Sequence, residues 1–375
     1  MEFKELPLTS SLQEGVESFG FSELTPIQEA CIPLIMKGKD IIGCAQTGTG
    51  KTMAYAIPTL QRILTTGEKE GPYALVLAPT RELALQIEQQ FEGLTYFLDV
   101  NSSAVYGGGD ATEFERQKKA IIKGADILIA TPGRLLAHIK LGYVSFNHLT
   151  TVILDEADRM LDMGFREDIM HILKHTPSRK QTLLFSATMS PEIRKLAHTI
   201  MNKPEHVEFA VSKPAEGVMQ AVYMTPESKK MKVIQSLLSG KDLERVLIFS
   251  ATKKSVKEME QAFRQMNLDA RAMHSDLDQH NRNEIMRDFR NKKIPILIAT
   301  DIVSRGIDID NIELVINYNV PRDPEDYVHR VGRTARAKSS GVAITLVDRN
   351  EVKYLTKIEK LIGYSVYRMP EISSF

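Results

Sequence analysis

Tryptophan is absent from the 375 residues, and only two cysteines occur, Cys31 and Cys44. Two thiols support neither a disulfide framework nor a zinc site. Such sparse usage fits a reducing compartment, with the cytoplasm as the expected location. No uninterrupted apolar run approaches the roughly 18–20 residues that a membrane span needs, so no membrane role is expected. The opening Met1-Glu2-Phe3-Lys4-Glu5 mixes charges and has no apolar stretch of the secretory kind, so no signal peptide is expected. Excess charge is missing too: 48 Lys and Arg balance 48 Asp and Glu. A chain of zero formal net charge does not coat a polyanion through its bulk field. Any contact with one must use a local groove, with backbone amides and a few placed arginines. A basic tail is also lacking, since Arg368–Phe375 carries little charge.

What is present is an ordinary globular composition, 43% hydrophobic and 26% charged. The length suits two domains. Short apolar strands alternate with amphipathic helical stretches, the βαβ pattern of an α/β fold with parallel sheets flanked by helices. Buried strands are expected at Ala74–Ala78, Ile127–Ala130, Thr151–Leu154 and Thr182–Phe185, then at Val246–Phe249, Ile296–Ala299, Leu314–Ile316 and Ala343–Leu346. The halves echo one another. Ile127-Leu128-Ile129-Ala130-Thr131 recurs as Ile296-Leu297-Ile298-Ala299-Thr300, and Leu184-Phe185-Ser186-Ala187-Thr188 resembles Ile248-Phe249-Ser250-Ala251-Thr252. Either echo alone is what any two buried strands share; together they favour two related α/β domains. The aperiodic stretch Phe209–Gly217, with its Pro and Gly, reads as a linker. It sets expected domains at 1–208 and 217–375 with a flexible connection at 209–216.

The chemistry concentrates in the first half. Ala45-Gln46-Thr47-Gly48-Thr49-Gly50-Lys51-Thr52 reads as a phosphate-binding loop whose first position is Ala45 instead of glycine. Glycines let the backbone approach phosphates, and a following helix start favours negative charge. Downstream, Thr151–Leu154 runs into Asp155-Glu156-Ala157-Asp158, a buried strand ending in carboxylates. Together they describe a magnesium–nucleoside triphosphate site. Lys51 reaches the phosphates, Thr52 and Asp155 hold Mg²⁺, and Glu156 orients or deprotonates the attacking water. Taken alone, Ser186-Ala187-Thr188 is a strand-to-turn transition, and it gains meaning from its company.

With these in place, the chain resembles the DEAD-box ATP-dependent RNA helicases of superfamily 2. The ordered matches span essentially its whole length. Phe21 and Leu24-Thr25-Pro26-Ile27-Gln28 resemble the adenine-reading Q motif, with Phe3 as its upstream aromatic. Pro79–Ala84, Gly107-Gly108-Gly109 and Thr131-Pro132-Gly133-Arg134 resemble the first domain's RNA-binding motifs. Gln279–Arg282, Ala299-Thr300-Asp301 with Ser304–Asp308, and His329–Arg336 resemble the second domain's. Ala335 and Ser275 stand where the family usually has glycine, and neither departure removes a charge. The overall wording is most similar to the bacterial RhlE-like branch.

The resemblance implies two tandem RecA-like domains with ATP, Mg²⁺ and RNA bound across their cleft, and a monomeric core. It implies that Gln28 reads the adenine edge and Phe21 packs on its face. Gln46, Thr47, Gly48, Thr49, Gly50, Lys51 and Thr52 would hold the triphosphate, and Asp308 the ribose. Arg333 and Arg336 would act as arginine fingers; a single helical turn could aim both. Asp158, Ser186, Thr188 and His329 would couple the ATP and RNA sites. RNA contacts would come from Pro79, Thr80, Arg81, Gly108, Gly109, Thr131, Gly133 and Arg134, and from Thr252, Arg282, Thr300 and Gly306 in the second domain. These are helix starts, small residues and arginines, which bind phosphate and sugar without reading bases. Single strands and short duplexes would therefore be bound with little sequence preference and strong salt dependence. The implied activity is RNA-stimulated ATP hydrolysis coupled to local unwinding and ribonucleoprotein remodelling. Rival readings are an RNA-holding scaffold and a DNA-directed translocase. A small-molecule P-loop kinase would leave the second-half motifs unexplained.

Overall fold

The structure is a computed structural model. It describes all residues except 46–47, 67–70, 210–217, 241–242, 275, 301–311, 335–340 and 371–375, and the side chains of Gln279 and Asn283. The chain divides into two compact units, Met1–Ala210 and Val211–Phe375. Apart from Phe209, the expected linker lies outside the described residues. Phe209 itself still donates its amide to the Cys44 carbonyl of the first unit, at 2.9 Å.

The first unit holds seven strands: β1 Ile41–Cys44, β2 Ala74–Leu77, β3 Ser102–Val105, β4 Ile127–Ala130, β5 Thr151–Leu154, β6 Gln181–Ser186 and β7 Glu205–Glu208. They form one sheet in the order β3-β4-β2-β5-β6-β1-β7, and every pairing is parallel. Parallel strands joined by helical crossovers are covered on both faces, which is why the central strands β2, β4 and β5 read as apolar runs, whereas the edge strands β3 and β7 are partly exposed. Along β2, Ala74 and Val76 face one core cluster while Leu75 and Leu77 face the other. Each fully buried Leu or Val contributes about 1.5–3 kcal/mol relative to exposure. A one-residue slip would swap the two cores.

The second unit repeats the plan. Its strands are β8 Val218–Met224, β9 Val246–Phe249, β10 Ala270–Met273, β11 Ile296–Ala299, β12 Leu314–Asn317, β13 Gly341–Val347 and β14 Tyr367–Arg368. Their order is β10-β11-β9-β12-β13-β8-β14, again all parallel. Position by position this is the order of the first sheet. The repeat sorts the two sequence echoes. Ile127–Ala130 and Ile296–Ala299 are β4 and β11, which hold the same place in their sheets. Leu184–Thr188 continues β6 whereas Ile248–Thr252 continues β9, the counterpart of β2, so that likeness is only the shared grammar of a buried strand end.

Candidate functional site

Parallel order places the carboxyl ends of β2, β5, β6 and β1 side by side, where ligands of open α/β sheets bind. From β1 the chain turns into the glycine loop and then the helix Lys51–Thr66. Gly48 and Gly50 have φ of 84° and 88°, the left-handed region that favours glycine. At Gly50 a Cβ would also lie 2.3 Å from Gln28 Nε2. Lys51 is buried, and its ammonium donates to the Ala45 carbonyl across the loop. The loop thus closes on its own lysine, the group that a phosphate would draw out. Gln46 and Thr47 lie outside the described residues.

Gln28 belongs to this loop although it comes from another helix, Pro26–Met36. Its Oε1 accepts from Thr25 N at 2.9 Å in a capping box, and its Nε2 donates to the Gly50 carbonyl at 3.1 Å. The amide expected to read adenine is therefore held at both ends, its oxygen by the helix cap and its nitrogen by the loop. Phe21 is exposed and sits in a small aromatic row, 5.6 Å from Phe19 and 6.1 Å from Phe3 between ring centroids.

The carboxylates differ in their surroundings. Asp155 is buried. It accepts from Tyr55 Oη at 2.8 Å through Oδ2 and from Glu156 N at 2.9 Å through Oδ1. Burial raises its carboxyl from the ordinary 3.8 to about 6; Lys51 works against this and Glu156 adds to it. Tyr55 is pushed well above the usual phenol range, chiefly by burial and then by the Asp155 charge. Glu156 has φ 48°, a rare left-handed conformation for a side-chain-bearing residue, and its Oε2 accepts from Arg159 Nη1 at 3.1 Å. Asp158 Oδ2 accepts from the backbone amides of Ala187 and Thr188, both at 3.1 Å, which ties the β5 carboxylates to the end of β6. Ser186 is buried in that strand end, and its Oγ accepts weakly from Thr188 N at 3.4 Å. Thr52, half-buried in the helix's first turn, and Asp155 offer the oxygen donors that Mg²⁺ prefers. A carboxylate and a hydroxyl are hard oxygen donors, so this donor set fits the ion.

A second cluster gathers in the same unit. Thr80 caps the helix Arg81–Leu94, its side chain accepting from Leu83 N, and Pro79 lies buried just before it. The Arg81 guanidinium stands 4.6 Å over the Tyr106 ring, and Arg134 Nε donates to the Tyr106 carbonyl at 2.8 Å. Gly108 has φ 84°. At Gly109 a Cβ would meet the Glu113 side chain at 2.6 Å, whereas at Gly133 it would meet open space. Thr131 holds the N-cap position of the helix Pro132–Lys140.

In the second unit Thr252 caps the helix Lys253–Gln265 by accepting from Ser255 N. Thr80 and Thr252 each stand three residues beyond their strands, β2 and β9, which occupy the same place in the two sheets. Arg282 Nη2 approaches the His274 carbonyl at 3.4 Å, and Thr300 follows β11. His329 is in the last turn of the helix Pro324–Val331; Arg333 follows that helix in a turn instead of extending it. Gly306, Asp308 and Arg336 lie outside the described residues, as do the departures Ser275 and Ala335.

Sequence reasoning missed three participants. Tyr55 is four residues beyond Lys51 on one helix face and looks like core, Tyr106 looks like a strand end, and Arg159 looks like a surface charge but is buried. For Tyr55 and Tyr106 the signal lies in contacts distant in sequence, whereas Arg159 meets Glu156 only three residues away. Among the described residues there is no helix long and apolar enough to cross a membrane. Cys31 and Cys44 are buried, and neither is in a disulfide.

The comparisons with known proteins agree with this geometry. Residues 25–196 match the family described as DEAD/DEAH box helicase, and residues 229–338 match the Helicase conserved C-terminal domain. The ATP-dependent RNA helicase CshA of Limosilactobacillus reuteri is 42% identical over 362 residues, covering 96% of this chain and 72% of the relative. The DEAD-box ATP-dependent RNA helicase CshA of Streptococcus pneumoniae serotype 4 is 44% identical over 362 residues, with coverage of 96% and 68%. Among solved structures, S. cerevisiae Dbp5 bound to RNA and ADP BeF3 superposes with a TM-score of 0.88 at 30% identity, covering 98% of this chain and 95% of that one. Mss116p bound to ssRNA and AMP-PNP gives 0.84 at 28% identity, with coverage of 98% and 78%. With a phosphate loop, a carboxylate strand end and a coupled second strand in one sheet, and two family domains in tandem, the chain belongs to the DEAD/DEAH box helicase family.

Proposed function

We propose that this chain is an ATP-dependent RNA helicase that couples RNA-stimulated hydrolysis of ATP to ADP and phosphate to local unwinding of short RNA duplexes and to ribonucleoprotein remodelling. The observation that carries the reading is the bonded line from loop to carboxylates to β6. Lys51 closes the loop on Ala45, Asp155 waits beside Tyr55, and Asp158 holds the Ala187 and Thr188 amides. A change at the phosphate side has a direct mechanical route to the neighbouring strand end. Relatives named as ATP-dependent RNA helicases, and a structural neighbour holding RNA with ADP BeF3, support the same assignment.

In this reading Lys51 and the amides of residues 46–52 bind the triphosphate, and Gln28 and Phe21 take the adenine. Thr52 and Asp155 would hold Mg²⁺, which would supply charge neutralisation at the phosphates. Glu156 orients the water, with Arg159 fixing its carboxylate. Arg333 and Arg336 stabilise the charge that spreads over the phosphate oxygens, and Asp308 holds the ribose. RNA is gripped through its backbone by the Thr80–Arg81, Gly108–Gly109 and Thr131–Arg134 groups and by Thr252, Arg282, Thr300 and Gly306. ATP and RNA favour one closed arrangement of the two units, in which the RNA path is bent out of duplex geometry. The cytoplasm is the proposed location. At branch level the wording of the chain resembles the RhlE-like group while the relatives reported above are CshA helicases, so the assignment is carried at the level of the family.

The test is ATP hydrolysis with and without single-stranded RNA or DNA, followed by strand displacement on a short RNA duplex. Stimulation by RNA above DNA, with displacement that needs ATP, is expected. Equal stimulation by both would favour a DNA-directed translocase. Glu156→Gln should keep ATP-dependent RNA binding while hydrolysis collapses; wild-type turnover in that variant would remove the assigned role.

A further inference from the structure

The second unit holds a cavity of about 600 Å³ where β9 and β12 end, lined in part by Thr252, Asn319, Arg322, Arg330, Glu351 and Lys353. Its floor is fixed by a buried network. Lys230 is fully buried and donates to the Tyr318 carbonyl and to Glu351 Oε2, both at 2.8 Å. Glu351 Oε2 also accepts from Asp348 N at 3.1 Å, while Oε1 accepts from Asn319 Nδ2 at 3.1 Å and Val320 N at 3.2 Å. Asn319 Oδ1 accepts from Ala251 N at 3.1 Å, and Arg330 Nη1 donates to Asn317 Oδ1 and the Asn319 carbonyl, both at 3.0 Å. One carboxylate thus ties together the chain after β9, β12 and β13. The charges of Glu351 and Arg330 are spent inward.

The rim is different. Arg322 and Lys353 are exposed, and neither forms an ion pair among the described residues. Lys353 rests 5.1 Å over the Tyr354 ring. Of the remaining charges nearby, Asp326 has its own partner, and Lys253 and Lys257 are both engaged by Asp276. The opening therefore presents two cations with no carboxylate partner among the described residues, over a hydrogen-bonded polar floor and next to the Thr252 helix start. No glycine lines the cavity, so it lacks the close backbone cradle that a triphosphate uses. A forked guanidinium and an ammonium at the mouth suit a single phosphodiester.

We propose that this cavity is a backbone subsite for RNA, in which a strand passing Thr252 lays one phosphodiester between Arg322 and Lys353. The proposal rests on the helicase reading above and extends its RNA path to two residues outside the family motifs. The Lys230–Glu351–Asn319 network is its positioning element, holding the loop that carries Arg322 at a fixed distance from Thr252.

The experiment uses the full chain with a non-hydrolysable ATP analogue and fluorescence anisotropy of a labelled single-stranded RNA over a salt series. The double variant R322A/K353A should bind RNA about fivefold more weakly, with the log affinity against log salt line shallower by about 0.7 for one lost phosphate contact. Its KM for ATP should be unchanged, because neither residue belongs to the ATP site. Arg322→Lys with Lys353→Arg, which keeps both charges, should restore the slope. Wild-type affinity and slope in the double alanine variant would overturn the subsite alone. A wild-type chain whose ATPase is indifferent to RNA would overturn the helicase reading, and the subsite with it.

Discussion

At neutral pH the Asp155 carboxylate is ionised against its surroundings, since burial lifts it to about 6 and Glu156 reinforces the shift. A carboxyl raised on folding adds stability below its ordinary 3.8 and loses that contribution as pH rises through about 6. Ionised Asp155 is therefore a cost to the ligand-free protein above that range, which an arriving cation would offset. Asp155→Asn removes the titration and keeps one acceptor oxygen, enough for Tyr55 Oη or for Glu156 N but not for both. The ligand-free variant should melt higher than wild type at pH 7, by an amount equivalent to about 1–3 kcal/mol, with the gap narrowing below pH 5. ATP hydrolysis should be lost. A lower melting temperature at pH 7, measured by differential scanning fluorimetry across pH, would contradict the electrostatic account. At this scale the sequence displayed Lys51, Asp155 and Glu156 because they lie in short contiguous motifs. It hid Tyr55, because a tyrosine within the apolar run Met53–Ile57 is indistinguishable from core packing until its hydroxyl is seen to reach a residue a hundred positions away.

At the scale of elements, Thr80 and Thr252 perform the same task at corresponding places in the two sheets: each ends its strand's turn and starts a helix with a side-chain cap. Removing such a cap costs about 1 kcal/mol, and the freed amides at the helix start also lose their fixed direction. Thr252→Ala should destabilise the chain by about that amount in urea unfolding and weaken RNA binding; Thr252→Ser should recover both. If serine restores stability without RNA affinity, the methyl group and not the cap is what RNA needs. The equivalence was only half legible. The strands themselves stood out as apolar runs, and β4, β5, β9 and β11 fall where the sequence places them. Yet the Ser-Ala-Thr wording that seemed to link β6 with β9 joins non-equivalent strands, and Thr80 with Thr252 share no surrounding motif. Short buried strands draw on few residue types, so local likeness is cheap, and only the sheet order shows which ends correspond. The edge strands β3, β7, β10 and β14 escaped notice for a related reason: several carry exposed or polar residues, and β7 is Glu205-His206-Val207-Glu208.

For the whole molecule, two sheets of identical strand order divide the labour unequally. The first unit holds the glycine loop, the carboxylates and the Asp158 tie to β6. In the second unit the helix start at Lys253 and the inward-facing Lys230–Glu351 pair lie at strand ends without a phosphate loop. The resemblance assigns charge stabilisation at the transferring phosphate to Arg333 and Arg336. An arginine finger contributes about 10³–10⁵ in rate, far more than an exposed ion pair contributes to stability. Arg336→Ala should therefore leave ATP affinity within a few-fold of wild type, leave the melting temperature unchanged, and reduce RNA-stimulated turnover by at least about 10³. Arg336→Lys should rescue little, because an ammonium keeps the charge but loses the fork that spans phosphate oxygens. Single-turnover hydrolysis together with equilibrium binding of a fluorescent ATP analogue separates the two effects. Near-normal hydrolysis in Arg336→Ala would mean that the first unit carries out the chemistry alone, and the second unit's contribution would then reduce to holding RNA.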